Sequence, residues 1–390
     1  MFSGRIRRGM LAVTVTLALG LTACGTGGRS STPAPSPDVI RLAALMPMTG
    51  DNAPSAANII PALTMAAEQI NAAGGVLGRR IEIVTADDAC DPETAVNRAN
   101  EMIKQDVTVS VGGYCSSATV PTLRIFHNAG IPMIIPAANS TDLIQPRYDN
   151  VFLLSGTTAI EAQRAVSWMP RLDAHKVVLV HDGTSFSESV AQGTRDAARK
   201  PDSAIDVISE VQVSQGADHY DTGAARIAAT HGDLVFFTGY YAEAGKLIRD
   251  LRSAGYRGKI MLSDGGVNPA VFRGIDPAAF KDTYGVALPM PEFLPDLAAW
   301  SAKYRALAGH DAGPFTIQAY DAVQLAASAI RRAGSLDKSA IRKALAETQP
   351  GDVDLLTGSA GFNADGTQKT VRFMLLRLQD ATFVQDPLSR

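Results

Sequence analysis

Short β-rich runs alternate with longer amphipathic runs from residue 39 onward, and this alternation constrains the fold more than any other feature of the chain. The runs predict strands at 39–46, 80–86, 107–111 and 131–135, separated by helices at 59–73, 92–104 and 118–129. Glycines follow the predicted helices, where a left-handed cap is needed. Alternation of this kind predicts a parallel sheet with helices on both faces.

A second cycle of the same alternation follows. Strands are predicted at 176–181, 204–211, 233–237 and 259–262, with intervening helices that end near residues 199, 230 and 254. After Tyr284 the pattern is helical at 295–307, 314–333 and 337–347, and then β-like at 372–378. About 350 residues are too many for one compact core, so the chain is predicted to form two doubly wound α/β lobes with parallel sheets.

The beginning of the chain predicts export. Residues 1–8 are basic, residues 9–20 are apolar and uncharged, and Leu21, Thr22 and Ala23 lead to Cys24. This order is typical of a secretory signal, here 1–23, and its end resembles the lipobox of bacterial lipoproteins, which implies a lipid on Cys24. An uncleaved membrane anchor is the alternative, but about a dozen apolar residues fall short of the ~20 that span a bilayer.

Residues 24–38 are mainly glycine, serine, threonine and proline, a composition that cannot bury a core. We expect a flexible tether that holds an extracytoplasmic body close to the membrane by its lipid. The net charge of −3 and the lack of a basic block argue against nucleic acid as a partner.

Three cysteines are present, and once Cys24 is lipidated only Cys90 and Cys115 remain. In an oxidising compartment two such thiols favour a disulfide over a metal site or a nucleophile. Two independent buried thiols are the alternative.

Polar turns follow three of the predicted strands. Ser116 and Ser117 begin a helix and would offer free backbone N–H groups and hydroxyls to a carboxylate. A second turn, at 136–141, contains Asn139 and Ser140, and Asp264 lies in a glycine-containing loop after a third strand. Ligands of open parallel sheets lie at such strand ends, and these groups suit a zwitterion. Helix capping and ordinary turns are the structural alternatives.

Several runs carry a family resemblance; they are 71–79, 87–92, 112–121, 239–245 and the pair Gly313-Pro314. Together they resemble the leucine/isoleucine/valine-binding proteins of ABC importers, over nearly the whole chain after the tether. The resemblance implies a type I periplasmic-binding fold with three crossovers between lobes and closure on the ligand. It also implies that lobe 1 comprises 39–157 and 288–369, and that lobe 2 comprises 158–287 and 370–390.

The resemblance also implies roles for individual residues. Ser116 falls where the family holds the ligand carboxylate, Ala137 where a backbone carbonyl accepts from the ammonium, and Asp264 where an acid binds that ammonium. Tyr240 falls where an aromatic ring lines the pocket. Three positions depart from the family. Asn139 replaces a threonine whose role Ser140 could take, Phe186 replaces a tyrosine, and Pro54 or Ser55 stands where the family has an aromatic residue.

The function implied is the delivery of a small amino acid, branched-chain in type, to a membrane permease by a monomeric binding protein without cofactor or metal. The same fold binding an aliphatic amide, urea or another small organic ligand, or serving a receptor as a sensory subunit, is the alternative. Enzymes are disfavoured because the six histidines are scattered and no P-loop or Gly-x-Ser-x-Gly motif is present. One enzyme hypothesis needs Cys115 as a free nucleophilic thiol.

Overall fold

The structure, a computed structural model, describes residues 39–358 and 360–389. The predicted signal, Cys24 and the tether lie outside these residues. The strands are β1 Val39–Met46, β2 Arg80–Asp87, β3 Val109–Ser110, β4 Met133–Ile135, β5 Val151–Leu153, β6 Lys176–His181, β7 Asp206–Gln212, β8 Leu234–Phe237, β9 Lys259–Leu262, β10 Thr283–Ala287, β11 Met374–Gln379 and β12 Thr382–Gln385. The α-helices are α1 Ala53–Ala72, α2 Pro92–Lys104, α3 Ser116–Asn128, α4 Thr158–Trp168, α5 Ser185–Ala198, α6 Asp221–Ala228, α7 Tyr241–Ser253, α8 Ala298–Ala308, α9 Thr316–Ala333 and α10 Lys338–Ala346.

The first sheet has five parallel strands in the order β2-β1-β3-β4-β5. Its middle strands β3 and β4 are short and fully buried, which is typical of a parallel sheet covered on both faces. Helix α2 begins with two residues that favour a helix start. The Asp91 side chain accepts from the Thr94 N–H at 2.7 Å, and Pro92 occupies the first helical position.

The second sheet has seven strands in the order β12-β11-β10-β9-β8-β6-β7. The strands from β10 to β7 are parallel, as predicted, whereas β11 at the edge of the sheet runs antiparallel to β10 and to β12. Strands β11 and β12 are joined by Asp380 and Ala381, which both have positive φ (50° and 56°). Two left-handed residues make the tight turn whose twist matches an antiparallel hairpin.

The chain passes between the two sheets three times. It leaves the first sheet after β5, returns after β10, and leaves again after Thr367, which bridges to Leu153 of β5. Helix α9 packs against α1 and α10, and α8 also packs against α1, so this helical segment covers the first sheet. Two lobes of α/β structure result, as predicted; their exact residue limits stay a prediction.

Several elements were not predicted from the sequence. Strand β10 lies before the helices predicted from residue 295 onward, and β10, α4, β5 and β12 had no predicted counterpart. Within the described ranges, no helix combines the length and apolar character needed to cross a membrane.

Candidate functional site

The carboxyl ends of β3 and β4 in the first lobe face those of β6, β8 and β9 in the second, and the residues that follow these strands form the candidate site. Asn139 of the first lobe donates from Nδ2 to Oδ2 of Asp264 in the second, at 3.0 Å. Two of the sites predicted from separate turns are therefore in direct contact across the cleft.

A disulfide between Cys90 and Cys115 positions one side of this cleft, which confirms the predicted pair, with Cα atoms 5.4 Å apart. Cys115 is the residue before α3, and the backbone N–H of Cys90 donates to the buried Asp88 at 2.9 Å. Burial raises the pKa of Asp88 to about 6. Cys115 in this disulfide has no free thiol, which the hypothesis of a cysteine nucleophile requires.

Ser116 and Ser117 form the first turn of α3, as the sequence indicated. Ser116 is fully buried, and its Oγ accepts from the backbone N–H of Ser140 at 3.2 Å. The Tyr240 hydroxyl lies near the backbone N–H of Ser116. The beginning of this helix thus presents backbone donors and a hydroxyl toward the second lobe, an arrangement suited to an anion.

Asn139 and Ser140 have different surroundings. Asn139 points to Asp264, whereas the Ser140 hydroxyl donates to the Ser185 carbonyl at 3.3 Å and accepts from the Asp142 N–H at 3.2 Å. Ala137, two residues earlier, is buried. The Asn139 side chain, and not that of Ser140, therefore lies next to the acid of the second lobe.

Asp264 is buried in a short 3₁₀ helix, Asp264–Gly266, where the sequence predicted a glycine-containing loop. Its backbone N–H donates to Oε1 of Glu161 at 2.8 Å. Desolvation raises the pKa of Asp264 to about 7, although hydrogen bonds from Gly265 and Asn139 oppose the rise. A buried carboxyl with a perturbed pKa in a cleft is a candidate functional group.

Aromatic rings line the cleft beside these polar groups. Tyr240 lies 5.1 Å from Phe186 and 5.9 Å from Tyr114, measured between ring centroids, and Tyr114 meets Phe315 edge-on at 5.8 Å. A Cβ on Gly265 would lie 2.7 Å from the Phe186 ring, so the glycine admits this close packing. Tyr240 and Phe186 were predicted, whereas Tyr114 and Phe315 were missed.

Glu161 was also missed. It lies in the first turn of α4, is fully buried, and has an Oε2 atom without a hydrogen-bond partner among the described residues. Burial and the nearby Asp264 raise its pKa well above the ordinary value, while the Asn139 amide lowers it. No sequence signal marked this residue, because α4 itself was not predicted.

One group of potential metal ligands occurs among the described residues, away from this cleft, and consists of His219, Asp221 and Asp250. The Arg249 guanidinium already pairs with Asp250 at 2.7 Å and contacts His219 at 2.9 Å. A cation between these ligands would have to compete with that guanidinium, so the arrangement favours an ion pair over a metal centre.

Two α/β lobes that enclose buried donors, acids and aromatic rings between their strand ends define a two-lobed solute-binding protein. The model of the family described as periplasmic binding protein matches residues 39–382. The chain belongs to this family.

Similarity to individual proteins extends over most of the chain. An amino acid binding protein of Pseudomonas aeruginosa is 29% identical over 385 residues, covering 96% of each chain. The isoleucine complex of a branched-chain amino acid transporter substrate binding protein from Streptococcus pneumoniae superposes with a TM-score of 0.80 at 22% identity, covering 89% of this chain and 100% of the other. A solute binding protein of R. palustris in complex with benzoate superposes with a TM-score of 0.77 at 19% identity, covering 89% of this chain and 95% of the other.

Proposed function

We propose that this protein is the extracytoplasmic solute-binding component of an ABC importer, and that it binds a small zwitterionic amino acid of branched-chain type and delivers it to a membrane permease. The observation that carries the proposal is the contact of Asn139 with Asp264, which unites a donor-rich turn and a buried acid from opposite lobes. The names of the amino-acid-binding relatives support the same ligand class.

Each part of a zwitterion has a partner in this arrangement. The ligand carboxylate would accept from the backbone donors of Ser116 and Ser117 and from the Ser116 hydroxyl. The ammonium would bind Asp264 and the carbonyl of Ala137, while Tyr240 and Phe186 would pack against an apolar side chain. Binding involves no bond making or breaking, and we assign no catalytic step, cofactor or metal to the site.

A screen of the isolated protein by thermal shift and calorimetry tests this proposal. We expect stabilisation by leucine, isoleucine or valine, because a ligand that binds only the folded state raises the unfolding temperature. Isocaproate, which lacks the ammonium, should stabilise far less. Stabilisation by an amide, urea or benzoate, with none by any amino acid, would contradict this proposal and favour the organic-ligand alternative. The benzoate complex of the R. palustris protein is an example of such a ligand in this fold.

Replacing Ser116 by alanine should weaken amino-acid binding by roughly tenfold to a hundredfold, since one hydrogen bond to a charged group contributes about 1.5–3 kcal/mol. The helix N-terminus remains, so binding should persist. Calorimetry measures the change, and Ser167→Ala, an exposed serine of α4, is the control. Undiminished affinity in Ser116→Ala would place the carboxylate elsewhere.

Lipid attachment at Cys24 is part of the proposal, with the folded body acting as a monomer. The Cys24→Ser variant should move from the membrane fraction to the soluble extracytoplasmic fraction, because the acyl chains that hold it are lost. The control is the Cys90→Ser/Cys115→Ser double variant, which retains Cys24 and should stay with the membrane. Membrane association of Cys24→Ser, together with no acyl mass on the wild type, would contradict the assignment.

A further inference from the structure

Two carboxyl groups, not one, lie beside Asn139 in the cleft. Glu161 and Asp264 come from different elements of the second lobe, and they are joined by the 2.8 Å hydrogen bond from the Asp264 backbone N–H to Glu161 Oε1. Both are at least 97% buried. The Asp264 carboxylate accepts from Asn139, but Oε2 of Glu161 has no partner among the described residues.

Among the described residues, no cationic side chain compensates these acids. In the part of the chain that the structure describes, no lysine, arginine or histidine forms a hydrogen bond or ion pair with either carboxyl group. The Asn139 amide lies close to both acids and supplies neutral donors only. Buried carboxylates without a cationic partner are costly, so a cationic group of a bound ligand would stabilise this pair of acids.

We infer that Glu161 is a second ligand-binding acid, which contacts the same ammonium as Asp264 and restricts the cleft to ligands with a primary amine. The inference rests on the proposed amino-acid function and deepens it. A primary ammonium has three N–H donors, and Asp264, Glu161 Oε2 and the Ala137 carbonyl supply three acceptors. Each methyl group added to the nitrogen removes one donor and leaves one buried acceptor unpaired.

Calorimetry on the unmodified protein gives the first test and needs no variant. The amino acid that binds best is compared with its N-methyl and N,N-dimethyl derivatives. We expect a loss of about tenfold or more for each methyl group, because a charge-assisted hydrogen bond disappears at each step. Equal affinities for the amino acid and its N-methyl derivative would overturn the inference.

The Glu161→Gln variant gives the second test. Its amide oxygen can still accept from the Asp264 N–H, so the position of Asp264 is kept while the charge is removed. Affinity for the amino acid should fall about tenfold to a hundredfold, and the discrimination against the N-methyl derivative should shrink. A purely positioning role of Glu161 would leave that discrimination unchanged.

The matched control is Glu243→Gln. Glu243 is another buried acid of the second lobe, in the first turn of α7, whose Oε1 accepts from the Gly216 N–H and whose Oε2 has no partner among the described residues. An equal loss of affinity in both variants would show that removing any buried acid of the second lobe weakens binding, and it would overturn the inference. A wild-type protein that binds no amine would reject the proposed function as well, whereas unchanged amino-acid binding by Glu161→Gln would reject the inference alone.

Discussion

The Asp264→Asn variant is expected to bind the preferred amino acid about a hundredfold more weakly, or worse, because removing one partner of a desolvated charge pair typically costs 3–5 kcal/mol. Asp264 is 3% exposed and faces the donor-rich turn of the other lobe, so water cannot replace the lost carboxylate. Calorimetry measures the affinity. Equal affinities for the variant and the wild type would show that the ammonium binds elsewhere or that the ligand is not an amine.

Asp321→Asn is the matched control for this result. Asp321 is equally buried, and burial raises its pKa to about 7, but it accepts hydrogen bonds from Leu356 and Thr357 on the first lobe. We expect this variant to lose stability without losing affinity in its folded fraction. The comparison separates removal of a buried charge in general from removal of the acid in the cleft.

The unfolding free energy of the ligand-free Asp264→Asn protein should depend less on pH than that of the wild type. The folded-state pKa of Asp264 is raised from 3.8 to about 7 by desolvation, so the unfolded chain releases this proton at lower pH. The free energy of unfolding therefore falls as pH rises from about 4 to 7, and asparagine removes this contribution. Urea unfolding at pH 5 and pH 8 should show a smaller decline for the variant.

Removal of the disulfide is expected to have the second large effect. The Cys90→Ser/Cys115→Ser variant should lose about 3 kcal/mol of unfolding free energy, since the bond closes a loop with a sequence separation of 25 residues. Affinity should fall too, because Cys115 precedes the helix turn that carries Ser116. Urea unfolding and calorimetry measure the two changes.

Reduction of the wild type provides the control. Dithiothreitol should lower the unfolding free energy of the wild type nearly to that of the double variant. It should leave the unfolding free energy of the variant unchanged. If the variant unfolds at the urea concentration of the oxidised wild type, the disulfide does not stabilise this fold. If stability falls while affinity is retained, the turn bearing Ser116 is held by its other contacts, such as the Ser116–Ser140 hydrogen bond.

Local patterns of the sequence were sufficient for the lobed α/β architecture and for several positions of the candidate site. Periodicity and turn residues act over a few residues, so they predicted most strands and placed polar turns at strand ends. The same locality explains the failures. The antiparallel pairing of β11 depends on which strand lies beside it, and no local pattern records that.

The chemistry of the cleft was decided by tertiary structure. Asn139 and Asp264 are 125 residues apart in the chain, and Glu161 and Asp264 are 103 apart, so no local pattern relates them. Tyr114 and Phe315 are likewise far apart in the chain, and only the fold brings their rings into contact. Sequence alone determined which turns carry donors and acids, because turn chemistry is local. Only the packing of two lobes decided which acid meets which donor, because burial and contact are properties of the folded chain.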